Sequence, residues 1–330
     1  MMKRRDVLQG AAGLVASALP LASGFAADAE PVVKVVAKGL GVAEGPTIMP
    51  DGSVLLVEIG RKTLSRVAPD GKVTVVAELG GSPNSTAIGP DGACYVPNSG
   101  GYTINLDANG MQQGPIYQPA DYKGGSIQRV DLKTGKFTTL YTQVNGNILR
   151  GPNDLVFDST GGFWFTDLGK NRPRDHDWGG VYWAKADGSE IREVVFPLDG
   201  PNGIGLSPDG RTLYVALQSR QLLAFNVKAP GVIEGRQRVL ANLCMEPVAF
   251  DSLKVEENGN VVVGTPFGGG FTVISPEGQV TRVPLGGIST NNLDFGGKDR
   301  RTVYATIAFP GQLVSLTWPR PGLKLQYKPT

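Results

Sequence analysis

The sequence predicts an all-β fold, a six-bladed β-propeller, on three observations. One pattern recurs six times along the 330 residues. Its turns fall at Asp51, Asp91, Thr160, Asp209, Asn258 and Asp299, at intervals of 40, 69, 49, 49 and 41 residues, and 40–50 residues is the length of a four-stranded blade. A lone strand-like run, Val32 to Ala37, precedes the first copy.

Each copy joins a polar residue, a short apolar stretch, a turn and a second β-rich stretch. In the first copy the turn is Asp51-Gly52, and a second hairpin follows at 68–71. Asp-Gly and Asn-Gly pairs supply the positive φ that a tight hairpin requires. The second copy turns at Asp91-Gly92 and again at 133–135, and the 69-residue interval after it implies an insertion of roughly 25 residues. The third copy turns at Thr160-Gly161 and 186–188, the fourth at Asp209-Gly210, and the fifth at Asn258-Gly259 and 275–278. The sixth holds only three strands, near 292–295, 302–307 and 312–318. The orphan run at 32–37 is expected to complete it, closing the ring and removing an exposed edge. Two sandwiches in series would leave the sixfold register unexplained.

Composition narrows the function. Hydrophobic residues make up 41% of the chain, enough for a large core and against disorder. Two cysteines exclude a disulfide scaffold and a four-cysteine zinc site, and one histidine, His176, excludes a site built on two imidazoles. Cys94 and Cys244 lie in different repeats, so either a pair or two free thiols fits. Residues 1–29 read as an export signal: Lys3-Arg4-Arg5, an apolar stretch of small residues from 10 to 25, then Ala26, Ala27 and Ala29. Arg4-Arg5-Asp6-Val7-Leu8 matches a twin-arginine signal, with Val7 and Gln9 departing from the usual residues. A general secretory signal or a retained anchor are the alternatives. The remainder, 30–330, is expected to be one propeller domain, periplasmic, with no membrane association once the signal is removed. Lys3, Arg4 and Arg5 account for the small basic excess of 32 over 30 charged residues. The exported chain is therefore near neutral, and a nucleic-acid partner is not expected. The expected partner is a small-molecule substrate; the oligomeric state is left open.

The residue seven before each turn is always a carboxylate or an amide: Glu44, Asn84, Asn153, Asn202, Asp251 and Asn292. On a propeller this position begins the innermost strand, so six polar side chains should converge at one mouth of the central channel. Such a ring among apolar neighbours is costly unless something satisfies it. Two carboxylates and several amide oxygens form a hard-ligand set that suits Ca²⁺, Mg²⁺ or Mn²⁺ better than a structural zinc ion.

Several motifs then follow in order. They are Glu44-Gly45-Pro46, Gly151-Pro152-Asn153-Asp154 with Phe165-Thr166-Asp167, and Pro201-Asn202-Gly203 leading to Tyr214-Val215-Ala216. Phe250-Asp251, Thr290-Asn291-Asn292 with Tyr304-Ala305-Thr306, and Pro321-Gly322-Leu323 complete the series. Together they resemble the senescence-marker-protein, gluconolactonase and luciferin-regenerating-enzyme-like family. The resemblance implies one divalent cation in the channel, Ca²⁺ first, with Mg²⁺, Mn²⁺ or Zn²⁺ as alternatives. It implies Glu44, Asn202 and Asp251 as direct ligands, Asn153 as a contact to metal or substrate, and Asp251 as general base. Arg150 lies near a substrate-binding arginine of the family, although Gly151-Pro152 separates it from Asn153 where one residue is usual. Asn84 and Asn292 are substrate-site candidates from the register alone.

The implied chemistry is hydrolysis of a sugar-type or aromatic lactone, or of a related ester, with the cation polarising the carbonyl and Asp251 activating water. Two long loops, 97–125 and 167–180, are expected to rise on the same face. The first is rich in tyrosine; the second carries Lys170, Arg172, Arg174 and His176, basic residues suited to an acidic substrate. His176 is a candidate for substrate contact or acid–base work. The alternatives are a metal-propeller enzyme of other chemistry (phosphotriester hydrolysis, isomerisation or elimination) and a non-catalytic ligand-binding propeller. No Gly-x-Ser-x-Gly elbow is present to support a serine hydrolase.

Overall fold

The computed structural model describes residues 31–328. The expected export segment, residues 1–29, lies outside the described residues. Among the described residues every regular element is a strand, and none is a helix long and apolar enough to cross a membrane.

Six four-stranded antiparallel sheets follow one another along the chain. Their innermost strands are Ala43–Ile48, Ala87–Ile88, Pro152–Phe157, Pro201–Leu206, Leu253–Val255 and Asn292–Gly296. Numbered in that order as blades 1 to 6, they form the six-bladed propeller. The outermost strand of blade 6 is Lys34–Lys38, paired antiparallel with Gln312–Thr317. The run before the first repeat therefore does close the ring, and the last blade is built from both ends of the chain.

The core is divided into six clusters, one between each pair of neighbouring blades. The second strand of blade 1, Val54–Glu58, shows why. Leu55 and Val57 pack toward blade 2 with Cys94, Val96 and Val130, while Val54 and Leu56 pack toward blade 6 with Leu313. Side chains alternate across a strand, so a strand buried on both faces must be apolar throughout. Each such side chain contributes about 1.5–3 kcal/mol when fully buried.

Hydrogen bonds join the innermost strands into a ring. Thr47 and Thr86 hydroxyls meet at 2.7 Å, Ser85 donates to Asp154 at 2.7 Å and Thr166 donates to Asn202 O. Gly203 N donates to Asp251 O at 3.2 Å, Ser252 N to Asn291 O at 3.1 Å, and Ile48 N to Asp294 at 2.8 Å. One end of this channel is crossed by the C-terminal segment, where Leu323 N bonds Val255 O at 2.8 Å and Tyr327 packs on Phe157. The other end is open. Cys94 is buried and Cys244 exposed, and both are free, so the disulfide alternative is not formed.

Candidate metal and active site

The open end of the channel leads into a cavity of about 1240 Å³. Five of the six register residues line it: Glu44, Asn84, Asn153, Asn202 and Asp251. Their strands begin here. Strand pairing also shifts register directly after the polar residue in blades 1, 3 and 4, between Glu44 and Thr47, Pro152 and Leu155, and Pro201 and Ile204. Such irregularities re-aim a side chain. Two glycines bring the strands close. Gly45, at φ 56°, would place a Cβ 2.4 Å from Ser85 Cα, and a Cβ on Gly203 would fall 2.6 Å from Leu253 N. Any side chain there would force neighbouring blades, and with them the polar ring, apart.

The sixth register residue, Asn292, is buried outside the cavity lining. Its amide donates to Glu44 Oε2 at 2.8 Å, so it positions that carboxylate instead of facing substrate. Asn291, which the register argument passed over, does line the cavity; its Nδ2 donates to Ala43 O at 3.0 Å and its Oδ1 accepts from Ala308 N at 2.9 Å. The register counts residues and cannot tell which of two adjacent asparagines turns inward.

The electrostatics of the site are unbalanced. Burial, and then the charge of Asp251, raise the Glu44 carboxyl well above its usual range. Burial also raises Asp251; the Asn202 amide opposes the shift and the nearby Asp154 adds to it. No basic side chain pairs with either acid among the described residues. Asn153 Oδ1 and Asn202 Oδ1 are buried without a hydrogen-bond partner. Two acids in want of positive charge and two orphaned acceptor oxygens are the donor set of a hard divalent cation. Glu44, Asn153, Asn202 and Asp251 could hold one. Among the described residues no three acids, histidines or cysteines cluster as a metal site, because amides supply half of this set.

Both long loops reach the cavity, through Tyr102 and Met111 to Tyr117 on one side and Leu168 to His176 on the other. Phe267, Phe309 and Pro310 complete the wall. Two expectations about basic residues, Arg150 and Lys170, need correction. Arg150 is exposed and outside the lining; its backbone N–H donates to Asp167 at 2.7 Å and its carbonyl accepts from Tyr122. Lys170 is 2% exposed, and its ammonium lies 3.6 Å from the centre of the Tyr102 ring. Arg172 does line the cavity, where Asp175 and Asp177 hold it. His176 does line the cavity, but at its exposed rim, 3.4 Å from Asp199.

Fold and site together define a six-bladed propeller with an oxygen-rich polar centre at the mouth of its channel. The family model described as the SMP-30/Gluconolactonase/LRE-like region matches residues 42–309. The chain belongs to that family. It is similar to the gluconolactonase of Zymomonas mobilis, 26% identical over 290 residues, covering 82% of this chain and 78% of the relative. It is similar to lactonase drp35 of Staphylococcus epidermidis, 26% identical over 295 residues, covering 88% and 82%. Among solved structures, a gluconolactonase from Xanthomonas campestris superposes with a TM-score of 0.68 at 23% identity, covering 86% of this chain and 89% of that one. A calcium-binding regucalcin from Agrobacterium tumefaciens superposes with a TM-score of 0.71 at 18% identity, covering 91% and 97%. These two superpositions establish the fold.

Proposed function

We propose that this chain is an exported, divalent-cation-dependent hydrolase that opens lactones or related esters. The single observation that carries the proposal is the pairing of two buried, uncompensated acids with two orphaned amide oxygens beneath a large open cavity. The relatives named gluconolactonase and lactonase supply the reaction class, and residues 1–29 supply the export signal.

A cation bound there, Ca²⁺ in the first instance, supplies Lewis-acid polarisation of the substrate carbonyl. Glu44, held by the Asn292 amide and Gly45 N–H, keeps a fixed ligand orientation. Asn153 and Asn202 contribute neutral oxygens, so the site stays close to charge balance. Asp251 takes a proton from the attacking water. A coordinated carboxylate is a weak base; burial, and to a lesser degree the charge of Asp154, raises its proton affinity. The tetrahedral centre then collapses, the ring C–O bond breaks, and the product is a hydroxy acid.

The cavity also bears on substrate size. About 1240 Å³ exceeds the roughly 300–1,000 Å³ usual for ligand pockets. Ile104, Met111, Ile116, Phe267 and Phe309 line it together with the polar Asn171 and Arg174. A lactone carrying an apolar ring or chain fits this lining better than a bare sugar lactone.

The test is pH-stat titration of acid release from aliphatic, aromatic and sugar lactones by purified protein. Each is assayed after chelation and after return of Ca²⁺, Mg²⁺, Mn²⁺ or Zn²⁺. Turnover that is lost on chelation and restored by one ion supports the proposal. Stoichiometric metal binding with phosphotriester but no lactone turnover replaces the reaction class, and absence of metal binding overturns the site. Export is tested by fractionation of cells carrying Arg4→Lys with Arg5→Lys, which should strand the protein inside.

A further inference from the structure

Tyr102 and Lys170 form a buried arrangement that the hydrolytic scheme above leaves unused. Tyr102 sits in the insertion of blade 2 and lines the cavity. Its hydroxyl is buried, with only the Ser99 hydroxyl beside it, and that hydroxyl donates to Pro152 O at 2.9 Å. A buried polar group with so little pairing is one that a bound ligand can satisfy.

The ring is held on its other side. Lys170 Nζ lies 3.6 Å from the Tyr102 ring centre and 5.2 Å from that of Tyr122. The same ammonium donates to Gly101 O at 2.8 Å, on the residue just before Tyr102. A second bond between the two loops, Gln118 N to Asn171 O at 2.8 Å, fixes them further. Tyr102 lines the same cavity as Glu44, Asn153, Asn202 and Asp251, and the charges of Asp167, Asp251 and Glu44 reach its phenol. The orphaned groups of the cavity are thus complementary. Asn153 and Asn202 present acceptors, as a cation requires, whereas Tyr102 presents a donor.

Resting on the hydrolase proposed above, we propose that Tyr102 is the catalytic acid that protonates the leaving oxygen of the opened lactone, with Lys170 as the residue that positions it. The proton balance closes. Water loses one proton to Asp251 and forms the new C–O bond at the carbonyl carbon. The ring C–O bond breaks, and the leaving alkoxide takes the Tyr102 proton. The phenolate is then reprotonated from Asp251 through solvent water entering the open cavity. Burial pushes the phenol up to about 12, so it stays protonated at working pH. It remains a stronger acid than an aliphatic alcohol. The Lys170 ammonium against the ring stabilises the transient phenolate.

The test compares Tyr102→Phe with wild type on two substrates: an aliphatic lactone, whose leaving group is an alkoxide, and an aryl lactone, whose leaving group is a phenolate. Phenylalanine keeps the ring and its contact with Lys170, and the unfolding temperature should be unchanged. For the aliphatic lactone kcat should fall on the order of 10²-fold, and for the aryl lactone less than about threefold, because a phenolate leaves without a proton. Lys170→Met should lower kcat on the aliphatic lactone about tenfold with little change in KM. Equal losses on both substrates, or no loss on the aliphatic one, overturn the assignment while the hydrolase stands. If the wild type opens neither lactone, the hydrolase falls and this assignment with it.

Discussion

The two ends of the channel hold their buried acids differently. At the end crossed by the C-terminal segment the buried acids have basic partners, Arg320 for Glu256 among them. Lys328 Nζ binds Asp294 Oδ2 and Phe295 O, and Lys254 Nζ lies 3.8 Å from Asp154 Oδ2. At the open end Glu44 and Asp251 have none among the described residues. The same strands serve both ends, since Asn153 precedes Asp154 and Asn292 is two residues before Asp294. Positive charge is thus built into the chain where the channel is sealed, and where it opens the described residues supply none to Glu44 and Asp251, which is where the proposed cation would sit. A buried acid without a counter-charge costs far more than one that is paired, so the open end is a place where the chain trades stability for a site.

The largest expected effect breaks the open end. Asp251→Asn removes both a charge and the proposed base, and kcat/KM for lactone hydrolysis should fall at least about 10³-fold, roughly 4 kcal/mol of transition-state stabilisation. The folded ring should persist, with unchanged circular dichroism. Lys328→Met breaks the sealed end. It strands Asp294 in the interior and should lower stability by about 3 kcal/mol in urea denaturation. The kcat should stay near wild type, because the two ends are separated along the strands.

Removing the cation should expose the imbalance as a pH dependence. Burial raises Asp251 to about 7 and Glu44 well above its usual range, so the folded, cation-free protein binds more protons than the unfolded chain between the ordinary carboxylate range and neutrality. Its stability therefore falls as pH rises through that window. A bound cation removes the penalty, adding about 2.7 kcal/mol at a hundredfold excess over Kd. The difference in Tm between calcium-loaded and chelated protein should widen from pH 5 to pH 7.5; a difference independent of pH would contradict the assignment of these two acids as ligands.

Lys170 sharpens the comparison from a third position. Burial pulls its ammonium down to about 7, against the pull of Asp167 and Asp177. The unfolded chain then binds more protons between that value and the normal lysine range, so stability gained from this residue rises with pH across the window. Lys170→Met should therefore be least harmful to Tm near pH 6 and most harmful near pH 10. The smallest effects belong to the outer positions. Arg150→Ala should shift stability by less than about 0.5 kcal/mol and leave KM unchanged, and His176→Gln should alter kcat/KM only a few-fold as the pH is varied.

The difference between the ends also shows where sequence reasoning succeeds. Six turns with positive φ and six polar residues at one offset are local features repeated by the chain, and they specify blades, their number and the start of each inner strand. The closing strand at Lys34–Lys38 was legible for the same reason, as a strand without a blade beside a blade lacking a strand. The ligand candidates follow, because repetition aligns them before any contact is known. Asn84 and Asp251 precede their short inner strands, three and two residues before Ala87 and Leu253, yet still reach the cavity.

Side-chain destinations inside the loops did not follow. Lys170, Arg172 and Arg150 are all basic residues near the mouth, and nothing in their spacing distinguishes them. Packing sends the first under a tyrosine ring, clamps the second between two aspartates and turns the third to solvent. The pairing of Lys328 with Asp294 spans 34 positions of chain, and that of Asn292 with Glu44 spans 248. Periodicity is a property of neighbours along the chain, so it determined the propeller and its polar ring. Which acid is neutralised, which lysine is buried and which hydroxyl is left unsatisfied depend on atoms brought together only when the ring closes, and those were decided by the tertiary structure.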